Sequence, residues 1–158
     1  MTFVKGLLGG AAAGAAGTTA LNAVTYLDMA VRGRPTSSAP EDTVEALAGR
    51  LGQRIPGDED TRSNRLAGLG PLTGLVAGLG VGAALGLGYA AGWRPNLIVG
   101  GLAAGVAAMA GTDASMAALG VTDPRTWAGK DWLSDAIPHA VYGLVTAGVA
   151  RGLLSSEA

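Results

Sequence analysis

Cysteine is absent from this 158-residue chain, which excludes disulfides, thiolate metal sites and cysteine nucleophiles. Aromatic side chains are nearly absent too, at 4% with a single Phe, and there is one His. With 27 Gly and so few bulky residues, a core of the kind soluble proteins bury would have little to fill it. Charge is scarce at 15%, and 11 basic against 12 acidic side chains leave a net charge of −1. That balance supplies no field to hold a nucleic acid. The chain also lacks an HExxH pair, a CxxC pair, a GxSxG elbow and a Walker lysine. Neither an enzyme nor a bound cofactor is expected.

What is present is small and apolar, with 49% hydrophobic residues. Residues 66–91 carry no charge, and at about 1.5 Å per helical residue they span a hydrocarbon core of ~30 Å. Within them Gly70, Gly74, Gly78, Gly82 and Gly86 recur at every fourth position. In water each mid-helix glycine weakens a helix by roughly 1 kcal/mol relative to alanine. In lipid the backbone must hydrogen-bond to itself, so the helix forms regardless and its glycine row admits a second helix.

Three more runs share this character. Residues 4–30 carry Gly6, Gly10 and Gly14 at the same spacing. A cleaved signal peptide is the rival reading there. The single basic Lys5 and the length of the apolar run favour a retained helix instead. Residues 95–119 and 132–154 complete the set, the last containing Gly143. Tyr89, Trp93, Trp127 and Trp132 sit where interfacial rings anchor spans. The fold class expected is all-α: one membrane domain, a Gly/Ala-rich bundle of four transmembrane helices.

The polar loop 32–64 interrupts the apolar runs. Ser38-Ala39-Pro40-Glu41 has capping-box spacing, and Val44, Leu47, Ala48 and Leu51 follow at helical intervals before Gly52. A short amphipathic helix, lying on the membrane or against the bundle, is predicted there. Asp58-Glu59-Asp60 reads as a solvated face balanced by Arg62 and Arg65. Most Arg and Lys residues fall on the side of this loop, which places it in the cytoplasm of a multi-pass inner-membrane protein with both termini outside.

Counting inward at about 1.5 Å per residue, Asn22, Thr73, Asp113 and His139 fall at a common depth of about 9–12 Å from the loop side. Asp135 is shallower, at i, i+4 to His139, so its carboxylate can orient the imidazole. An intramembrane acid such as Asp113 needs a partner, a wet cavity or a proton. A polar pocket open towards the long loop is therefore predicted from Asn22, Thr73, Asp113, Asp135 and His139. The plain alternative makes the same residues interhelical hydrogen-bonding glue. No metal site is assigned, although Asp113, Asp135 and His139 together have the chemistry to hold a hard or borderline divalent ion.

The segments GLLGGAAAGAAGTTALNAVTYLDMAVRGRP and TDPRTWAGKDWLSDAIPHAVYGLV resemble small four-helix integral membrane proteins of actinobacteria. The resemblance covers nearly the whole chain and implies an integral membrane protein. It brings no assigned activity and no catalytic residue. Two functions fit these features. One is a structural or accessory membrane protein, partnered by the bilayer and, through its glycine rows, by itself or another membrane protein. The other is a small oligomeric permease or channel moving a proton, metal ion or small solute through Asp113, His139 and Asp135.

Overall fold

The computed structural model describes residues 1–155, and these form an all-helical protein. Its elements are α1 (Phe3–Arg32), α2 (Ala39–Arg50), α3 (Glu59–Ala90), α4 (Leu97–Leu119), a 3-10 turn (Pro124–Thr126) and α5 (Gly129–Leu154). Side-chain caps mark several starts. The Thr2, Asp58 and Asn96 side chains accept from the backbone N–H groups of Lys5, Thr61 and Val99. Gly33 and Gly120 end α1 and α4 in the left-handed conformation that glycine adopts without strain.

Three helices, α1, α3 and α4, are long and apolar enough to cross a membrane. The fourth expected span does not meet that standard. Ser134, Asp135 and His139 near the start of α5, and Arg151 near its end, dilute the apolar run. The loop helix is present, but its predicted capping box is not. The Ser38 hydroxyl donates to the Asp42 carboxylate at 2.9 Å, and the Ala39 N–H is taken by Ser37. Only part of the α2 apolar stripe is used: Val44 is buried, while Leu47 and Leu51 stay exposed. Helix α3 begins ahead of its apolar run, because Asp58 caps it and Glu59 and Asp60 suit its positive end.

Glycine decides how the long helices meet. A Cβ added at Gly6, Gly10 or Gly14 would collide with the backbone of Gly86, Gly82 or Gly78 respectively. Helices α1 and α3 thus touch backbone to backbone over three turns. Helices α4 and α5 meet in the same way, with Gly143 against Gly101 and Gly105. Gly17 of α1 abuts Tyr142 and Thr146 of α5. Two glycines of the α3 row lie outside this contact. Gly70 sits under Pro40 and Glu41 of α2, and Gly74 has nothing within 4 Å.

Between these seams lies a core of Ala13, Leu85, Tyr89, Ala104, Ala108, Tyr142, Ala147, Ala150 and Leu154. Tyr89 belongs to that core at 2% exposure, rather than to an interfacial ring. Trp93 remains half-exposed. Trp127 donates its indole N–H to the Thr122 hydroxyl and packs edge-on against Trp132, ring centres 5.1 Å apart. In the same turn the Arg125 guanidinium, bonded to Asp123 at 2.9 Å, holds that carboxyl below its ordinary range.

Candidate functional site

One buried and two partly buried ionisable side chains, Asp113, Asp135 and His139, lie on α4 and α5 towards the end that carries the long loop. Asp113 arrives on α4 five residues beyond the buried Ala108, where the helix still faces α5. It is 8% exposed, and its Oδ1 has no hydrogen-bond partner among the described residues. Asp135 and His139 arrive from α5 one helical turn apart. The His139 Nδ1 lies 3.2 Å from Asp135 Oδ1 and 2.9 Å from the Asp135 carbonyl oxygen. Pro138 has no N–H, so it leaves the Ser134 carbonyl without its helical donor just ahead of the imidazole. The second carboxylate oxygen of Asp135, Oδ2, is likewise buried and unpartnered.

Asp113 lies within electrostatic range of both Asp135 and His139, and among the described residues no arginine or lysine is paired with it. Two acids and one imidazole therefore share a seam with two carboxylate oxygens that have no partner among the described residues. Towards the middle of the bundle the seam is closed. Gly105 abuts the His139 carbonyl, and Ala104, Ala108, Tyr142 and Ala147 fill the following turns.

Of the five predicted pocket residues, Asp113, Asp135 and His139 lie on the facing helices α4 and α5 within electrostatic range of one another, and Asn22 and Thr73 lie elsewhere. Asn22 is exposed on the outer side of α1. Thr73 is exposed on α3, and its hydroxyl bonds to the Gly70 carbonyl of its own helix at 2.7 Å. Equal depth did not bring these two inward, because α1 and α3 turn their glycine faces to each other and these positions fall outside that seam. Clefts of about 450 and 500 Å³ indent the described residues. One lies between the ends of α1 and α5, beside Lys5, Leu8 and Leu154, and the other beside Glu45, Gln53, Arg54 and Arg62. Neither is lined by any of the five, and with Asn22 and Thr73 exposed on other helices the five do not converge into the single pocket expected from the sequence. Among the described residues no three His, Cys, Asp or Glu side chains are placed to hold a metal ion. The divalent site that Asp113, Asp135 and His139 had the chemistry for is therefore not assembled.

Sequence reasoning missed the polar rim at this end. Asp28 pairs with Arg34 at 2.5 Å and with Arg32 at 3.3 Å, and Arg32 also donates to the Ser134 hydroxyl at 2.8 Å. Arg50 reaches from α2 to the Ala118 carbonyl at the end of α4, and Arg62 pairs with Glu45. Glu41, whose Oε2 is buried without a partner, docks beside Gly70. Only the i, i+4 spacing of Asp28 and Arg32 was readable beforehand; Arg34 folds back past the end of α1, and the Arg32–Ser134, Arg50–Ala118 and Arg62–Glu45 pairings are long-range.

No protein-family model, curated protein or solved structure matches the chain.

Proposed function

We propose that this is a small multi-pass membrane protein of the structural or accessory kind, built as a glycine zipper and carrying a one-sided proton-binding cluster at Asp113, Asp135 and His139. The observation that carries this reading is the closed seam beyond the cluster. The backbone contact of Gly143 with Gly101 and Gly105, together with buried Tyr142 and Ala147, packs the helices tightly beyond the cluster. A proton is what two neighbouring carboxylates with orphaned oxygens most simply lack. Such a site can be loaded from the loop side without being a channel.

The same reading makes α5 the fourth crossing of a four-helix bundle. What supports it is that the Asp135 and His139 side chains, at 24% and 13% exposure, are turned largely into the protein, so composition understates how apolar the outer face of α5 is. The reading places the long loop in the cytoplasm of an inner-membrane protein and groups the chain with the small four-helix actinobacterial proteins it resembles.

A small permease is the second reading, favoured by the unpartnered oxygens of Asp113 and Asp135, which suit a transiently bound cation. Reconstitution into liposomes under an imposed pH gradient separates the two. The accessory reading expects proton leak no faster than in empty liposomes. A leak that the protein accelerates, and that Asp113→Asn abolishes, would overturn it in favour of transport.

A further inference from the structure

Asn22 has no place in the cluster, and its position raises a separate question. It lies on α1, about 9 Å inside Asp28 by helical rise, in a helix apolar enough to cross a membrane. Its side chain is exposed, and it has no hydrogen-bond partner among the described residues. Other exposed polar side chains within the candidate spans solve the same problem locally. Thr19, Thr73 and Ser115 each return their hydroxyl hydrogen to a carbonyl of their own helix, at 3.0, 2.7 and 2.7 Å. A carboxamide has two N–H donors and one carbonyl, so that solution does not satisfy it. In hydrocarbon no water is available to do so either.

The surrounding surface is shaped for close approach. Between Leu8 and Tyr26 no large apolar side chain of α1 is exposed. Ala12, Thr19, Asn22 and Ala23 form the outer surface there, opposite the face that Gly6, Gly10 and Gly14 give to α3. Gly6, Gly10 and Gly14 face Gly86, Gly82 and Gly78 inside the chain, so the outer surface of α1 is a separate face.

We propose that α1 is a self-association helix, and that a second copy of this chain covers its outer face with Asn22 at the centre of the contact. The occupant follows from the chemistry of the group. A carboxamide is its own complement: across a two-fold axis each Asn22 donates an N–H to the carbonyl of its partner and accepts one in return. Each amide then uses its carbonyl and one N–H across the axis, and the second N–H is left to a carbonyl of its own helix, so no other polar side chain is required. Thr19 and Ala23 flank the axis and allow the backbones to approach. This contact is independent of the acid–imidazole cluster, which lies on the α4–α5 seam, and it survives if the reading of that cluster fails.

The test is energy transfer between two labelled populations of the whole protein, mixed in liposomes over a range of protein-to-lipid ratios. The wild type is expected to associate. Asn22→Leu is expected to weaken association by about tenfold, within the range measured for polar pairs in membranes. Asn22→Gln retains the carboxamide and is expected to stay within about threefold of the wild type. Leu102→Ala, on the exposed side of α4, is expected to change nothing. Asn22 touches no other part of the chain through a hydrogen bond, so its substitution leaves the fold in place, and the Gln variant checks this directly. Transfer no greater than for a non-interacting membrane protein overturns the proposal, whether or not a different protein covers α1 in the cell. Equal association of the wild type and Asn22→Leu overturns it as well.

Discussion

Tyr142 of α5 donates its hydroxyl hydrogen to the backbone carbonyl of Gly78 on α3 across 2.6 Å, with its ring only 1% exposed. Each residue makes the other possible. Gly78 presents a bare carbonyl because it has no side chain, and Gly17 of α1 gives the ring the space to reach it. The bond ties together two helices whose principal neighbour is α1 rather than each other.

Tyr142→Phe removes that bond and keeps the ring. It is expected to lower stability by about 1 kcal/mol, the usual net worth of one intramolecular hydrogen bond. Tyr142→Ala empties the centre of the core and is expected to cost about 3–5 kcal/mol. Thermal unfolding in detergent micelles ranks the two. Equal stability of wild type and Phe variant would remove the hydroxyl from the account.

The α3 glycines divide into those that touch α1 and those that do not. Gly82→Ala places a methyl group against the Gly10 carbonyl and Gly14, and overpacking of this kind is expected to cost about 1–3 kcal/mol. Gly74→Ala meets open space and gains helix propensity, so stability is expected to hold or rise by up to about 1 kcal/mol. The same unfolding assay distinguishes the pair. A loss in both variants would mean that Gly74 is covered by something other than the described residues.

Asp113→Asn keeps the shape of the side chain and removes its charge. Because no arginine or lysine is paired with Asp113 among the described residues, the variant is expected to be at least as stable as the wild type at neutral pH. Loss of folded protein on this substitution would reveal a cationic partner that the closed seam does not provide.

Asp58 supplies a pH dependence outside the membrane. The Thr61 hydroxyl, and after it the Thr61 backbone N–H, hold the Asp58 carboxyl below its ordinary value of 3.8. A depressed folded value means that the cap contributes fully above the ordinary carboxylate range and is lost as pH falls through the lower folded value. Amide exchange at Thr61, taken relative to its intrinsic rate at each pH, should therefore accelerate as acid protonates the cap. In Asp58→Asn, which still caps but does not ionise there, that acceleration should vanish.

Much of this protein is a direct consequence of its composition and spacing. Glycine at every fourth position along 6–14 and 70–86, with no cysteine and few aromatics, dictates apolar helices that pack through their backbones. The i, i+4 spacing of Asp135 and His139 dictates their contact, because two residues of one helix have their geometry set by the helix. Depth along a span is equally local, since each residue advances the chain by the same rise. The angle at which a residue faces its neighbours is not local. Asn22, Thr73 and Asp113 share a depth, yet only Asp113 is buried, because the α1–α3 glycine seam and the α4–α5 seam set the rotation of every helix at once. Tertiary packing alone sent Tyr89 inward and left Gly74 open. It also spent the glycine rows within the chain, leaving the outer face of α1 with an unpaired carboxamide.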